Sequence, residues 1–356
     1  MKKAVYTLFA AAMLASMPLY AGNGEAAADE KPEYGYDLTN FASKPKFGAY
    51  FIGTYKYNDN EGSHGGPGFG LRYVRAYVDG TILGDFSYRV QMEFAGTPHV
   101  KDYFIEWKKF PEFKVKVGQF KRAFTFENPM NPWDVGTGDF SLAVKKMAGF
   151  GDRVGEASMG GRDQGIQFSG DLLPMGEDGH KFFHYQFGIY NGQGINKTDV
   201  NSSKDYIGTI QFQPVKDLYI GVFGWTGKWN DGTADRDRKR YSVGAKYEHD
   251  NWSARAEYIH SYDYSSLQGQ NSLGDAFYAT VGVPVAKWFK VYVKYDQYND
   301  AGFNGGLRQS ISSIAPNFRL HKNLNFQIEY RYNSTKVSGL DATGYNELWF
   351  QYYVRF

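Results

Sequence analysis

The chain has 356 residues and no cysteine, with 29 Tyr, 28 Phe, 7 Trp, 42 Gly and 12 Pro, and 40 basic against 38 acidic side chains. The missing cysteines exclude a disulfide scaffold, a thiolate zinc site and a cysteine nucleophile, and a formal charge of +2 gives no reason to expect nucleic acid as a partner. Aromatics supply 18% of residues while the mean hydropathy is −0.53, which excludes a disordered chain and asks for a setting other than a Leu-, Ile- and Val-rich soluble core.

Met1-Lys2-Lys3 opens the chain and is followed by an apolar run from Ala4 to Met17, then Pro18-Leu19-Tyr20-Ala21. A cationic start, a short apolar stretch and a small residue at the end are the parts of a secretory signal peptide, expected over 1–21. Its removal takes Lys2 and Lys3 and leaves bases and acids equal at 38 each. Residues 22–45 are small, acidic and without period, and read as a loose periplasmic segment ahead of a 46–356 domain. From Lys46 onward apolar and polar residues alternate, which places successive side chains on opposite faces of a strand. Phe86, Tyr88, Val90, Met92 and Phe94 share one face against Ser87, Arg89, Gln91 and Glu93. Leu324, Phe326, Ile328, Tyr330 and Tyr332 oppose Asn325, Gln327, Glu329, Arg331 and Asn333 in the same way.

Strands are expected over 46–57, 69–82, 86–94, 100–109, 113–126, 164–171, 182–190, 205–214, 218–229, 240–248, 252–264, 275–285, 289–298, 307–319, 324–335 and 345–356. Pro284 and Pro316 fall inside two of them, and since proline cannot donate to the ladder, bulges or strand ends are expected there. Tight turns such as Gly84-Asp85, Asp250-Asn251 and His321-Lys322-Asn323 take turns with longer Gly-rich joins such as Asn58–Gly68 and Asn191–Lys204. Short turns at one end, long loops at the other and an even strand count are the plan of a bacterial outer-membrane β-barrel. The fold expected is therefore all-β, a transmembrane antiparallel barrel of about sixteen strands, too wide to fill with its own side chains. The aromatic excess then belongs to the lipid face and the polar half to the interior. The final strand, YNELWFQYYVRF, ends on Phe356 with Val354, Tyr352, Phe350 and Leu348 on one face, which resembles the signal by which such barrels are recognised for assembly. Two alternatives stay open on local alternation alone: an outer-membrane barrel enzyme and a soluble secreted β-rich binding protein.

One connection is far longer than the rest. Residues 127–163, ENPMNPWDVGTGDFSLAVKKMAGFGDRVGEASMGGRD, follow the fifth strand, and loops beyond about 12–15 residues are usually functional. Its apolar content, including Met130, Trp133, Phe140, Leu142 and Val144, predicts packing, with a short helix over 141–147. The expectation is that it folds into the lumen and constricts it.

The blocks RYVRAYVDGTILGDFSYRVQMEF, KDYFIEW, VGQFKRAFTFENPM, GRDQGIQFSG and YQFGIYNGQG, in that order between Phe69 and Gly194, are similar to the phosphate-selective porin O and P family of Gram-negative outer membranes. The resemblance implies a sixteen-strand channel, commonly trimeric, with a basic lumen and an inward third loop whose Lys and Arg bind anions. The inner-face assignment puts Arg75, Arg89, Lys114, Lys116 and Arg122 in the pore, and the loop adds Lys145, Lys146, Arg153 and Arg162. Against its four bases the loop carries six acids, Asp134 and Asp139 among them as constriction acids. Glu93, Asp102 and Glu106 sit on neighbouring strands as partners for the cations. The expected function is passive diffusion of small hydrophilic solutes and ions, with a mild phosphate-like anion preference and strict phosphate specificity disfavoured. His180 and His184 have ligand-like spacing without a third partner, so neither metal nor cofactor is expected. No GxSxG elbow is present, and no enzyme activity is expected. Asp235-Arg236-Asp237-Arg238-Lys239-Arg240 reads as a solvated outer loop. The partners expected are outer-membrane lipid and lipopolysaccharide, two further copies of the chain, and small hydrophilic solutes; conductance in a planar bilayer separates the channel from its rivals.

Overall fold

The computed structural model describes residues 42–60, 67–156, 160–302 and 305–356. The expected signal peptide and nearly all of the 22–45 segment lie outside these residues. Sixteen antiparallel strands follow in chain order: β1 (Lys46–Asn58), β2 (Gly68–Ile82), β3 (Phe86–Glu93), β4 (His99–Phe110), β5 (Phe113–Lys121), β6 (Arg162–Met175), β7 (His180–Tyr190) and β8 (Asp205–Val215), then β9 (Leu218–Asn230), β10 (Asp235–His249), β11 (Trp252–Ser265), β12 (Gln270–Ala286), β13 (Phe289–Asp300), β14 (Leu307–His321), β15 (Leu324–Val337) and β16 (Thr343–Arg355). Each pairs with its sequence neighbours, and β1 closes the barrel on β16, from Tyr50 opposite Arg355 to Asn58 opposite Glu347. Closure leaves no strand edge unpaired. The two-residue turn Asp250-Asn251 has positive φ at both positions, as a tight hairpin turn requires.

Alternation sorts the strands into two unlike surfaces. On β15, Phe326, Ile328, Tyr330 and Tyr332 are exposed, while Asn325, Gln327, Glu329, Arg331 and Asn333 are buried. The same inversion runs round the barrel: Val243, Val293 and Ile314 are 45–52% exposed, whereas Asp296 and Glu329 are fully covered. A monomer in water would not sustain so large an apolar surface, and buried carboxylates need partners. The partners come from the long connection between β5 and β6. Its backbone is held by buried side chains of six strands: Thr209 on β8 donates to Ala123 O (2.5 Å), Arg255 on β11 to Val135 O (2.6 Å), Lys294 on β13 to Asp139 O (3.1 Å), Asn317 on β14 to Gly136 O (3.0 Å), Gln327 on β15 also to Gly136 O (2.7 Å) and Gln351 on β16 to Gly138 O (3.3 Å).

The connection contains α1 (Leu142–Met147), within the helix expected over 141–147. Leu142, Ala143, Val144 and Met147 are buried in one apolar cluster with Phe124, Phe126 and Phe140, and with Phe223, Trp225, Ile259 and Tyr278 from the wall. Two sequence expectations change, and a third holds only in part. β5 ends at Lys121 instead of continuing to residue 126: Phe124 and Phe126 alternate as a strand would, yet they leave the sheet to pack edge-on against Phe223. The run Asp235–Arg240 opens strand β10 and is not a solvated loop. Its alternation turns Arg238 and Arg240 to the buried face, where carboxylates await them, and leaves Asp235, Lys239 and Tyr241 exposed. Pro284 does sit at a register shift, between Pro284 and Ala286, as a residue without a donor requires, whereas Pro316 lies inside β14 in unbroken register opposite Val291.

Candidate functional site

The connection between β5 and β6 has two different sides. Towards β8–β13 it is pinned by a network of buried ion pairs. Arg240 holds both oxygens of Asp152 at 2.6 Å and Asp263 at 2.6 Å. Arg153 binds Asp263 and, at 3.0 Å, Asp300. Arg238 joins Glu156 to Asp205, and Arg122 binds Glu156 at 2.7 Å and Asp163 at 3.4 Å. Three of these guanidiniums, on Arg122, Arg238 and Arg240, lie about the Trp225 ring at 4.9–5.1 Å. Burial alone would raise the Asp152 carboxyl, but the Arg240 guanidinium outweighs it and holds the group below the usual carboxylate range.

Towards β2–β6 the connection leaves space. One cavity of about 290 Å³ is lined by Arg75, Arg89, Asp102, Lys116, Lys121 and Arg162 among others, with Met130 and Pro132 opposite. A second, of about 450 Å³, is lined by Arg72, Arg75, Glu93, Lys101, Lys121, Asp139, Lys145 and Arg162. The two share Arg75, Lys121, Pro132 and Arg162, which form the waist between them. Across both, eight Lys and Arg side chains face three carboxylates, Glu93, Asp102 and Asp139.

The carboxylates orient the cations. Asp102 takes Arg162 in a two-bond fork at 2.8 and 2.9 Å, and Glu93 takes Arg75 at 2.7 Å while Tyr50 accepts a further bond at 2.7 Å. Arg89 forks onto Asp79 at 2.7 Å, and Lys116 meets Glu106 at 3.0 Å. The Lys121 ammonium donates to two backbone carbonyls, Asn128 O at 2.8 Å and Met130 O. Asp139 bridges Arg72 on the wall to Lys145 on α1, the latter at 2.7 Å. Burial would raise its carboxyl, yet Arg72 and Lys145 together hold it well below the ordinary value.

Five of the nine cations expected from the sequence line these cavities: Arg75, Arg89, Lys116, Lys145 and Arg162. The other four do not. Lys114 is taken up by Asp171 at 2.5 Å, and Lys146 sits 5.9 Å over the Tyr298 ring on the pinned side. Arg122 and Arg153 are buried within the ion-pair network, where Glu156 and Asp163 neutralise Arg122 and Asp263 on β11 and Asp300 on β13 neutralise Arg153. Asp139 lines the second cavity, while Asp134 lines two smaller cavities nearer the short turns, shared with Asn251, Lys290 and Tyr292. Sequence reasoning missed Arg72, Lys101 and Lys121. Arg72 and Lys101 are the residues skipped at register shifts, between Leu71 and Tyr73 in β2 and between Val100 and Asp102 in β4. A bulge puts one extra residue into the ladder and upsets parity. Lys121 is the last residue of β5, still in register with Arg162, and its ammonium reaches the cavity by donating to carbonyls of the connection that follows. Among the described residues no His, Asp and Glu cluster is arranged to hold a metal ion.

No protein-family model matches the chain, and no curated protein matches it in sequence. Solved structures do resemble it. An anion-selective porin from Comamonas acidovorans superposes with a TM-score of 0.66 at 14% identity, over 88% of this chain and 100% of the other. OmpT, an outer membrane protein of Vibrio cholerae in a trimer form, gives 0.61 at 16% identity over 89% and 100%. The outer membrane channel DcaP of Acinetobacter baumannii gives 0.61 at 14% identity over 88% and 97%. At such identities the likeness is one of fold: a closed sixteen-strand antiparallel barrel of the porin type.

Proposed function

We propose that this chain is an outer-membrane porin of a Gram-negative bacterium, which lets small hydrophilic solutes diffuse passively, with a mild preference for anions. It is exported through a cleaved signal peptide over 1–21, faces lipid and lipopolysaccharide with its apolar surface, and works as a homotrimer without catalysing a reaction. Residues 127–163 lie across the lumen and narrow it to the two cavities along β2–β6.

The observation that carries this reading is the unequal lining of those cavities, eight Lys and Arg side chains against three carboxylates, in a barrel too wide to be filled by its own side chains. Charge of one sign along a narrow, partly desolvated path raises the local concentration of the opposite ion. The resemblance in fold to an anion-selective porin and to a barrel recorded as a trimer supports the reading. The experiment is a planar bilayer holding the refolded protein in a salt gradient. Discrete conductance steps with a reversal potential on the anion side are expected; folded protein without channels would sink the proposal, and a cation-side potential would sink its anion preference.

A further inference from the structure

We infer that the preferred solutes are amphipathic organic anions, a carboxylate or phosphate carried on an apolar body, ahead of inorganic phosphate. The inference rests on the channel reading above and concerns the same two cavities.

These cavities set apolar side chains beside their basic ones. With Arg75, Lys116 and Lys121, the first presents Phe104, Phe120, Pro129, Met130 and Pro132. The second sets Phe140, Phe150 and Pro132 beside Arg72, Lys101 and Lys145. Phe104, Met130 and Phe150 are only partly buried: each packs on the apolar cluster around α1 and still reaches a cavity. The apolar wall is therefore an open surface and not merely the back of the core.

A small inorganic anion with oxygens on every side needs donors on every side, and against this wall some of its acceptors go unpaired. The best forks are also engaged already, Arg162 by Asp102 and Arg75 by Glu93. An anion with its charge at one end and an apolar body at the other has no such conflict. The Lys116 ammonium lies 4.9 Å from the Phe104 ring centre and 5.5 Å from that of Phe120, and Lys121 lies 5.0 Å from that of Phe140. Charge and apolar contact are thus available within the length of one small molecule. Burying its body against Met130 and Phe104 adds a favourable term that hydrated phosphate cannot gain.

The test is block of chloride current through the full-length protein in a planar bilayer at pH 7, with benzoate, cyclohexanecarboxylate and inorganic phosphate as probes. Both organic anions are expected to halve the current at about a tenth of the phosphate concentration, equivalent to ~1.4 kcal/mol. Met130→Gln and, separately, Phe150→Gln are expected to bring that ratio towards one, each with folding checked by its heat-dependent gel mobility. Phosphate blocking as well as benzoate, or better, in an anion-selective channel overturns this inference and leaves the porin reading standing. A ratio unchanged in both folded variants overturns the role of the apolar wall, whereas absence of channels is a failure of the porin reading itself.

Discussion

The two sides of the long connection use the same residue types for opposite ends. On the pinned side Arg122, Arg153, Arg238 and Arg240 are fully or almost fully covered, and each meets at least one carboxylate. On the cavity side Arg75 and Lys145 are paired too, with Glu93 and Asp139, but they and Lys121 line open space, and basic side chains outnumber carboxylates along it. The difference lies in which acids are consumed where. Asp152, Glu156 and Asp163, half of the acids counted in the loop sequence, are spent on guanidiniums of the pinned side and cancel nothing in the cavities. A net count over residues 127–163 therefore misjudges the field a solute meets.

The sharpest way to break this contrast is to attack the pinned side. Arg240→Met leaves Asp152 and Asp263 buried without their shared partner, a change that costs about 3–5 kcal/mol when a buried pair loses one member. The heat-dependent gel mobility shift is expected to move to a clearly lower temperature, with noisier or larger single-channel conductance as the connection loosens. A variant matching the native protein in both measurements would show that the ion-pair network does not hold the loop.

On the cavity side the effects are on selectivity and smaller. Asp139→Asn removes the counter-charge between Arg72 and Lys145, and the anion-to-cation permeability ratio is expected to rise about five-fold, the weight of ~1 kcal/mol for a charge pair near contact in water. Lys121→Met is expected to lower it by about as much, since the waist loses one of its three cations. Reversal potentials read both, and shifts of the same sign in the two variants would refute the assignment.

Acid distinguishes the two sides by what stays constant. The carboxyls of Asp139 and Asp152 lie below their unfolded-state value in the folded protein, so their stabilisation is complete above about pH 4 and is lost as pH falls below it towards the folded values. The share of conductance and thermal mobility that these two carboxylates hold, read as the difference between the native protein and Asp139→Asn or Arg240→Met, is expected to be flat from pH 7 to pH 5 and to change only below about pH 4. A difference that already narrows at pH 5–6 would contradict the pairing described for these groups. The smallest effect is expected for Lys114→Gln. Its pair with Asp171 lies outside both cavities and is about three-tenths exposed, so neither stability nor selectivity should move by more than ~0.5 kcal/mol.

Much of the molecule was legible from residue order alone. Two-residue periodicity is a local property, so the faces of β3 and β15, the sixteen strands and the helix near 142–147 could be read without knowing any contact. So could five of the cavity cations, because Arg75, Arg89 and Lys116 keep strict parity with their strands. Parity fails where the ladder is irregular, and that is where Arg72 and Lys101 enter the site, while Lys121 enters at the strand's end, where the connection begins. The acidic and basic run at Asp235–Arg240 misled for a related reason. Its composition is that of a solvated loop, and only the carboxylates of Asp152, Glu156, Asp205 and Asp263, brought from distant positions, make a buried strand face of it.

The sequence by itself thus determined the barrel, its polar interior, its apolar exterior and the presence of a long packed connection, since each follows from periodicity and composition. Tertiary structure alone decided which charges face the cavities. An ion pair between residues about a hundred positions apart, such as Arg240 with Asp152 or Arg153 with Asp263, leaves no periodic trace, yet it settles which cations remain for a solute. The balance of charge that was near zero along the chain is uneven across the barrel, because ion pairs take up loop acids on one side and leave basic side chains in excess along the cavities on the other.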